Sequence, residues 1–165
     1  MVTRAANREH PHSCRPPLSS TPVTRTSHSV AETEAIAAEL ARTLSGGEVI
    51  ALYGDLGAGK TQFTRGLVKG FGGDGHAVSS PTFVLLNVYE TPRMRVFHLD
   101  AYRVHGAEDF EAIGFGELLE QGGVVVVVEW PNRVEALLPR EKRINVHLET
   151  LSPTDRRVRV EHAPV

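Results

Sequence analysis

The chain is short of the features that staple, anchor or electrostatically coat. One cysteine, Cys14, stands among 165 residues, so no intramolecular disulfide can form and a reducing compartment suits the chain. No apolar run approaches the roughly 18 residues of a membrane-crossing helix; the longest unbroken one is residues 124–128, five valines. The apolar core of a signal peptide is missing as well. Basic excess is absent: the formal net charge is −2, which argues against a protein that coats DNA or RNA, or binds a membrane, by charge alone. Aromatic residues make up 6% and include one tryptophan, Trp130. Hydrophobic residues at 41% and charged residues at 23% are ordinary globular usage and exclude wholesale disorder. A chain of this length buries roughly two-thirds of its unfolded surface and needs no metal staple. One soluble, cytoplasmic domain is the expectation.

Residues 1–22 read as a disordered extension, with Pro11, Pro16, Pro17 and Pro22 set among Ser, Thr, His and Arg and no apolar period. His10, His12 and Cys14 lack a fourth ligand for a metal site. Residues 23–165 read as a single domain. Ser29, with Glu32 three residues later, predicts a capped helix start; Ile36, Leu40 and Leu44 predict its buried face, and Gly46 and Gly47 its stop. Residues 48–53 (EVIALY) form a bounded apolar run, as a strand buried on both faces requires. A second helix is predicted over residues 60–69, then a loose loop containing Gly70, Gly72, Gly73 and Gly75. Residues 82–89 and 95–99 predict a hairpin turning at Thr91 and Pro92. Residues 107–119 predict one helix with Phe110, Ile113 and Leu118 inward. The valine run predicts a strand, and residues 143–148 and 157–160 a terminal antiparallel hairpin. The fold class is α/β, with a central mixed sheet flanked by helices.

The strongest chemical signal is Gly54, Asp55, Leu56, Gly57, Ala58, Gly59, Lys60 and Thr61, which matches G-x-x-x-x-G-K-[ST] between a predicted strand and a predicted helix. The glycines let the backbone curl so that its N–H groups converge on a phosphate. The following helix presents its positive end to the same anion. Lys60 supplies a cation to the β- and γ-phosphates, and the Thr61 hydroxyl a ligand for Mg²⁺. A mere connecting turn has no reason to end in Lys-Thr. Nucleotide binding on a P-loop NTPase-like fold is the consequence.

Such a loop wants an acid at the end of a neighbouring strand. Glu129 follows the valines, and Asp100 follows Arg95, Val96, Phe97, His98 and Leu99; both are candidates, or simple strand caps. In Ser80, Pro81, Thr82 and Phe83 the proline aims the Ser80 or Thr82 hydroxyl at a γ-phosphate or metal, or else merely starts a strand. His98 fits a hydrogen-bonded core position as well as a functional one, and Arg103 a surface charge. Trp130, between Glu129 and Pro131, either packs or caps a ligand or partner.

GDLGAGKT (54–61), SPTF (80–83), HLDAYR (98–103) and VEWP (128–131), in this order and spacing, resemble the TsaE family of bacterial P-loop ATPases. The resemblance covers residues 23 to 161 and implies ATP hydrolysis in threonylcarbamoyladenosine synthesis on tRNA, coupled to the TsaB–TsaD complex, with tRNA met only through that complex. It implies Thr61, Glu129 and Asp100 at the Mg²⁺ site and Thr33 near the nucleotide; beside it, Lys60 is expected to act with both acids in catalysis, and Tyr102, Arg103 and Trp130 to contact ligand or partner. Gln62 stands where the family usually has a second Thr, which puts an α-phosphate hydroxyl contact there in doubt.

A small-molecule kinase shares the P-loop but wants an acceptor pocket and an Arg-rich lid, whereas Arg133, Arg140 and Arg143 are scattered. A GTPase wants an Asn-Lys-x-Asp motif, which is missing. Removing residues 1–22 is expected to leave the melting temperature and ATP turnover unchanged, since that segment has no apolar pattern with which to dock. A fall of several degrees on truncation contradicts this.

Overall fold

The computed structural model describes residues 21–163. The expectation for residues 1–22 falls, except at its last two positions, outside the described residues.

Seven strands make one mixed sheet in the order β1-β7-β6-β2-β5-β4-β3. At its centre β2 (Val49–Tyr53) lies parallel between β5 (Val124–Glu129) and β6 (Arg143–Thr150). Strand β4 (Arg95–Asp100) runs parallel beside β5. Antiparallel strands close both edges: β3 (Leu86–Glu90) on β4, then β7 (Arg156–His162) on β6 and β1 (Val23–Ser27) on β7. One face is covered by α1 (Val30–Thr43) and α2 (Lys60–Gly70), the other by α3 (Ala107–Ala112) and α4 (Phe115–Glu120). The predicted α/β class, mixed sheet and terminal hairpin are all present. Among the described residues, no helix is long and apolar enough to cross a membrane.

The valine run serves both faces. Val125 and Val127 join the core under α1 and α2, while Val124, Val126 and Val128 join the core under α3 and α4. Alternate side chains of a strand point to opposite faces, so a strand covered on both must be apolar throughout. In α2, Phe63 and Leu67, followed by Phe71 just past its end, are fully buried, each contributing about 1.5–3 kcal/mol by leaving water.

Four expectations are corrected. The buried line of α1 is Thr33, Ala37, Ala41 and then Leu44, whereas Ile36 and Leu40 are only half-buried beside Val160. The cause lies in α2. A Cβ on Gly66 would stand 2.3 Å from the Glu34 carbonyl oxygen, and one on Gly70 2.6 Å from the Ala41 Cβ. The two helices therefore approach so closely that only alanines fit between them. Next, the glycine loop after α2 is tight: the Gly73 N–H donates to the Val68 carbonyl at 2.9 Å, and a Cβ there would meet Thr91 at 2.7 Å. Residues 82–85 are a turn instead of strand. The Leu85 N–H donates to the Pro81 carbonyl at 2.7 Å, Leu85 has φ 67°, and Phe83 is 84% exposed. Lastly, residues 107–119 break into two helices at Gly114, with φ 69°. Strand β1 carries no apolar signature because four of its five residues are exposed.

Gly66→Ala is expected to cost about 2 kcal/mol or more in urea unfolding, because backbone and not a flexible side chain must yield. Gly116→Ala, which meets open space in α4, is expected to be neutral or to stabilise by up to about 1 kcal/mol. Equal effects would contradict the close helix approach.

Candidate functional site

Strand β2 ends at Tyr53, and the backbone turns at Gly54, where a Cβ would stand 2.6 Å from the Leu148 carbonyl oxygen. Gly57 and Gly59 have φ 78° and 103°, with nothing within 4 Å of a notional Cβ. Glycine meets the left-handed backbone there without strain, and the space beside it stays open. Gly59 leads straight into α2, which begins at Lys60. The Lys60 ammonium donates to the carbonyls of Gly54 at 2.7 Å and Asp55 at 3.0 Å, and lies 3.9 Å from the centre of the Trp130 ring. Burial pushes its pKa below the ordinary lysine value, against the opposing pull of Glu129, Asp100 and Asp55.

Parallel pairing of β4 and β5 sets Asp100 opposite Glu129. Both carboxylates are 3% exposed, so each needs partners. Thr61 Oγ1 donates to Glu129 Oε1 at 3.1 Å, and His98 Nε2 is 2.9 Å from the same oxygen. Asp100 accepts from Thr82 Oγ1 at 2.7 Å and from the Tyr102 N–H at 2.8 Å, with Ser80 Oγ at 3.5 Å. Ser80 and Thr82 hydroxyls are themselves 2.8 Å apart. Trp130 has φ 56°, a left-handed backbone that costs a non-glycine residue about 1–2 kcal/mol. Its ring packs against Tyr102, 5.1 Å centre to centre, as well as over Lys60.

Lys60, Thr61, Ser80, Thr82, Asp100, Glu129 and Trp130 line a cavity of about 570 Å³, ample for a nucleotide-sized ligand. Thr33, Leu56, Gly57, Gly59, Lys60, Thr61, Gln62, Ser80, Thr82, Asp100, Glu129 and Trp130, all marked out by sequence, meet there. Tyr102 and Arg103 stand apart from the lining: Tyr102 is half exposed, and Arg103 stacks 4.8 Å over Phe83. Leu56 is 90% exposed at the loop tip. Gln62 turns to Arg65, accepting at 2.8 Å, and Thr33 shares a 2.7 Å hydroxyl contact with Ser27.

Sequence reasoning missed the far wall, where His28, Ser29, Pro153, Thr154 and Arg156 line the cavity. Arg156 donates to the carbonyls of Gly57 and Ala58 at 3.2 Å each, and to those of Ser152 and Asp155 at 2.9 Å. It thereby pins the glycine loop to the β6–β7 turn. A hydrogen bond from His28 at 3.1 Å helps hold the Asp155 carboxyl below its ordinary pKa. Nothing local signals the role of Arg156 at the glycine loop, since its partners there lie nearly a hundred residues away. His98 was visible as a polar residue inside an apolar strand.

A strand, a glycine loop and a helix with its lysine folded into the loop, facing acids at the ends of adjacent parallel strands, define a P-loop NTPase-like protein. Within that class the chain belongs to the TsaE family: the family described as "Threonylcarbamoyl adenosine biosynthesis protein TsaE" matches residues 27–158. It is similar to the tRNA threonylcarbamoyladenosine biosynthesis protein TsaE of Rickettsia prowazekii, 37% identical over 79% of this chain and 89% of that one. The protein of that name from Bacillus subtilis is 40% identical over 67% of this chain and 68% of that one. The crystal structure of Bacillus subtilis YdiB matches with a TM-score of 0.67 and 28% identity, covering 87% of each chain.

Arg156→Met removes the two loop contacts at net costs of about 0.5–1.5 kcal/mol each. ATP affinity measured by calorimetry is expected to fall about tenfold, and the melting temperature by several degrees as the bonds to Ser152 and Asp155 go too. Unchanged affinity would show that the loop holds its shape without Arg156.

Proposed function

We propose that this protein binds ATP with Mg²⁺ in the cavity above β2 and hydrolyses it, slowly alone and faster on a TsaB–TsaD-like complex, to support threonylcarbamoyladenosine formation on tRNA in the cytoplasm. Residues 23–165 work as one ATPase domain. The observation that carries this reading is the meeting of Lys60 and Thr61 with Asp100 and Glu129 in one buried cluster.

The residues present suit the nucleotide and its ion. Loop N–H groups of residues 54–61 and the start of α2 receive phosphate charge, and Lys60 adds its ammonium to the β- and γ-phosphates. Thr61 Oγ1 and Glu129 Oε1, 3.1 Å apart, with Asp100 beside them, offer the hard oxygen donors that Mg²⁺ takes. Among the described residues no group of three His, Cys, Asp or Glu could hold an ion by itself, so the rest of its shell falls to phosphate oxygens and water. When bound, the ion neutralises charge on the β- and γ-oxygens. Asp100 would orient an attacking water, and Ser80 and Thr82, which donate to Asp100, would sense whether a γ-phosphate is present.

Among the described residues no segment closes over the site, and a partner is proposed to complete it. The chain between β5 and β6 forms only two 3-10 turns, Pro131–Arg133 and Glu135–Leu137, which also disfavours the kinase reading. Phe83 and Tyr102 stand exposed beside the Thr82 and Asp100 that line the cavity, where a docked protein would order them and exclude water. At a net charge of −2, tRNA is met through that partner.

Turnover of labelled ATP, with and without the partner complex, tests the reading. Lys60→Ala is expected to weaken ATP binding at least about a hundredfold, ~2.7 kcal/mol. Asp100→Asn and Glu129→Gln should bind within about threefold of the parent yet lose about a hundredfold or more in turnover. Trp130→Ala should lose more of the stimulation by the complex than of ATP affinity. Wild-type turnover in both acid variants, or full speed without partners, contradicts the proposal.

A further inference from the structure

His98 is fully buried between Phe97 and Leu99 in an apolar strand. An apolar residue would fill that space without the desolvation that a buried imidazole demands. Both ring nitrogens are instead engaged, one on each side of the site. Nε2 faces Glu129 Oε1 at 2.9 Å, the oxygen that also accepts from Thr61. Nδ1 lies 3.4 Å from the Tyr89 hydroxyl. That hydroxyl donates to the Ser79 carbonyl at 3.0 Å and accepts from the Ser79 N–H at 3.3 Å and Asn87 Nδ2 at 3.2 Å.

Ser79 opens the turn that carries Ser80 and Thr82 to Asp100. The circuit therefore closes: Glu129, His98, Tyr89, Ser79, then Thr82 and Asp100, which pairs in register with Glu129. Apolar packing anchors this turn only at Pro81, which is buried, and at Leu85, which packs against the core under α3 and α4; Phe83 and Val84 between them are 84% and 63% exposed. The hydroxyl-bearing part of the turn rests on hydrogen bonds, and Tyr89 supplies two at its root.

We propose that Tyr89 and His98 are positioning residues that couple Glu129 to the turn of residues 79–85, so that a nucleotide engaging Thr61 and Glu129 sets where Ser80 and Thr82 stand over Asp100. This rests on the ATP-binding reading above. The geometry gives the coupling its sense. Nε2 faces the Glu129 oxygen that Thr61 also serves, and the other ring nitrogen faces the Tyr89 hydroxyl that holds Ser79. When Thr61 turns from Glu129 toward a bound ion, His98 becomes the remaining partner of that oxygen, and movement of its ring is passed to the hydroxyl at the root of the turn.

Two variants separate the ends of this link. Tyr89→Phe removes one oxygen, and His98→Gln keeps an amide donor for Glu129 while losing the reach to Tyr89. Each is measured by calorimetric ATP–Mg²⁺ affinity, turnover with the partner complex, and hydrogen exchange of amides 79–86 with and without a non-hydrolysable ATP analogue. In the wild-type protein the analogue is expected to slow exchange of those amides at least fivefold. Both variants should keep affinity within threefold, lose about tenfold in kcat, and lose the analogue-dependent protection. His98→Asn, which retains a group for Tyr89 but none for Glu129, should lose the protection too. Tyr89→Phe with wild-type kcat and protection overturns the proposal, as does a wild-type protein that binds and turns over ATP with no change at residues 79–86. A variant whose loss of kcat is matched by an equal loss of affinity and a lower melting temperature shows a packing role and also overturns it. A wild-type protein that fails to bind ATP overturns the functional reading itself.

Discussion

Two buried carboxylates on paired strands repel each other, and much of this architecture follows from managing that repulsion. Parallel pairing of β4 with β5 sets Asp100 opposite Glu129, and burial reduces the water that would screen them. Stability then requires a cation and a full set of donors. Lys60 supplies the charge from the opposite side, while hydroxyls from Thr61 and Thr82, an imidazole and a backbone N–H supply the hydrogen bonds. The same groups that make the acids tolerable are those an anionic nucleotide with a divalent ion would reorganise. Structural necessity and proposed chemistry thus share one set of atoms.

The packing of the helices serves this arrangement. Because α1 and α2 meet over Ala37, Ala41, Gly66 and Gly70 with almost no gap, the start of α2 is held firmly against β2 and β5. Thr61 reaches Glu129 across that junction. The strained backbone of Trp130 completes the enclosure by turning its ring back over Lys60. By contrast the turn at residues 79–85 has apolar anchors only at Pro81 and Leu85, with Phe83 and Val84 exposed and its hydroxyls held by polar bonds, which is the character expected of a part that changes position in a cycle.

Local physics made much of this legible in the sequence. The P-loop is eight consecutive residues whose types follow from phosphate geometry, and the Ser29 cap acts on the N–H of Glu32 only three residues on. Buried central strands announce themselves as unbroken apolar runs, and both acids stood where those runs ended. Legibility failed where the deciding partner was distant or where composition misled. The β-rich string at residues 82–85 bends because Pro81 accepts from Leu85, which leaves the Phe83 and Val84 side chains exposed. The face of α1 was misassigned because glycines in another helix admit alanine and exclude larger residues. Arg156 shapes the glycine loop from the last strand, and no pattern within either segment reports it.

The central claim is that a phosphate chain enters the loop beside Lys60. The ammonium lies 3.9 Å from the centre of the Trp130 ring, the one tryptophan of the chain, and is tied to the Gly54 and Asp55 carbonyls. Phosphate oxygens would compete with those carbonyls for the ammonium and alter the field on the indole. Titrating the full-length protein with ATP and Mg²⁺ while recording tryptophan emission reads this contact directly. The account predicts a saturable shift in emission that is lost in Lys60→Ala. Emission that stays constant while calorimetry reports bound ATP would contradict it, because the nucleotide would then lie somewhere other than beside Lys60.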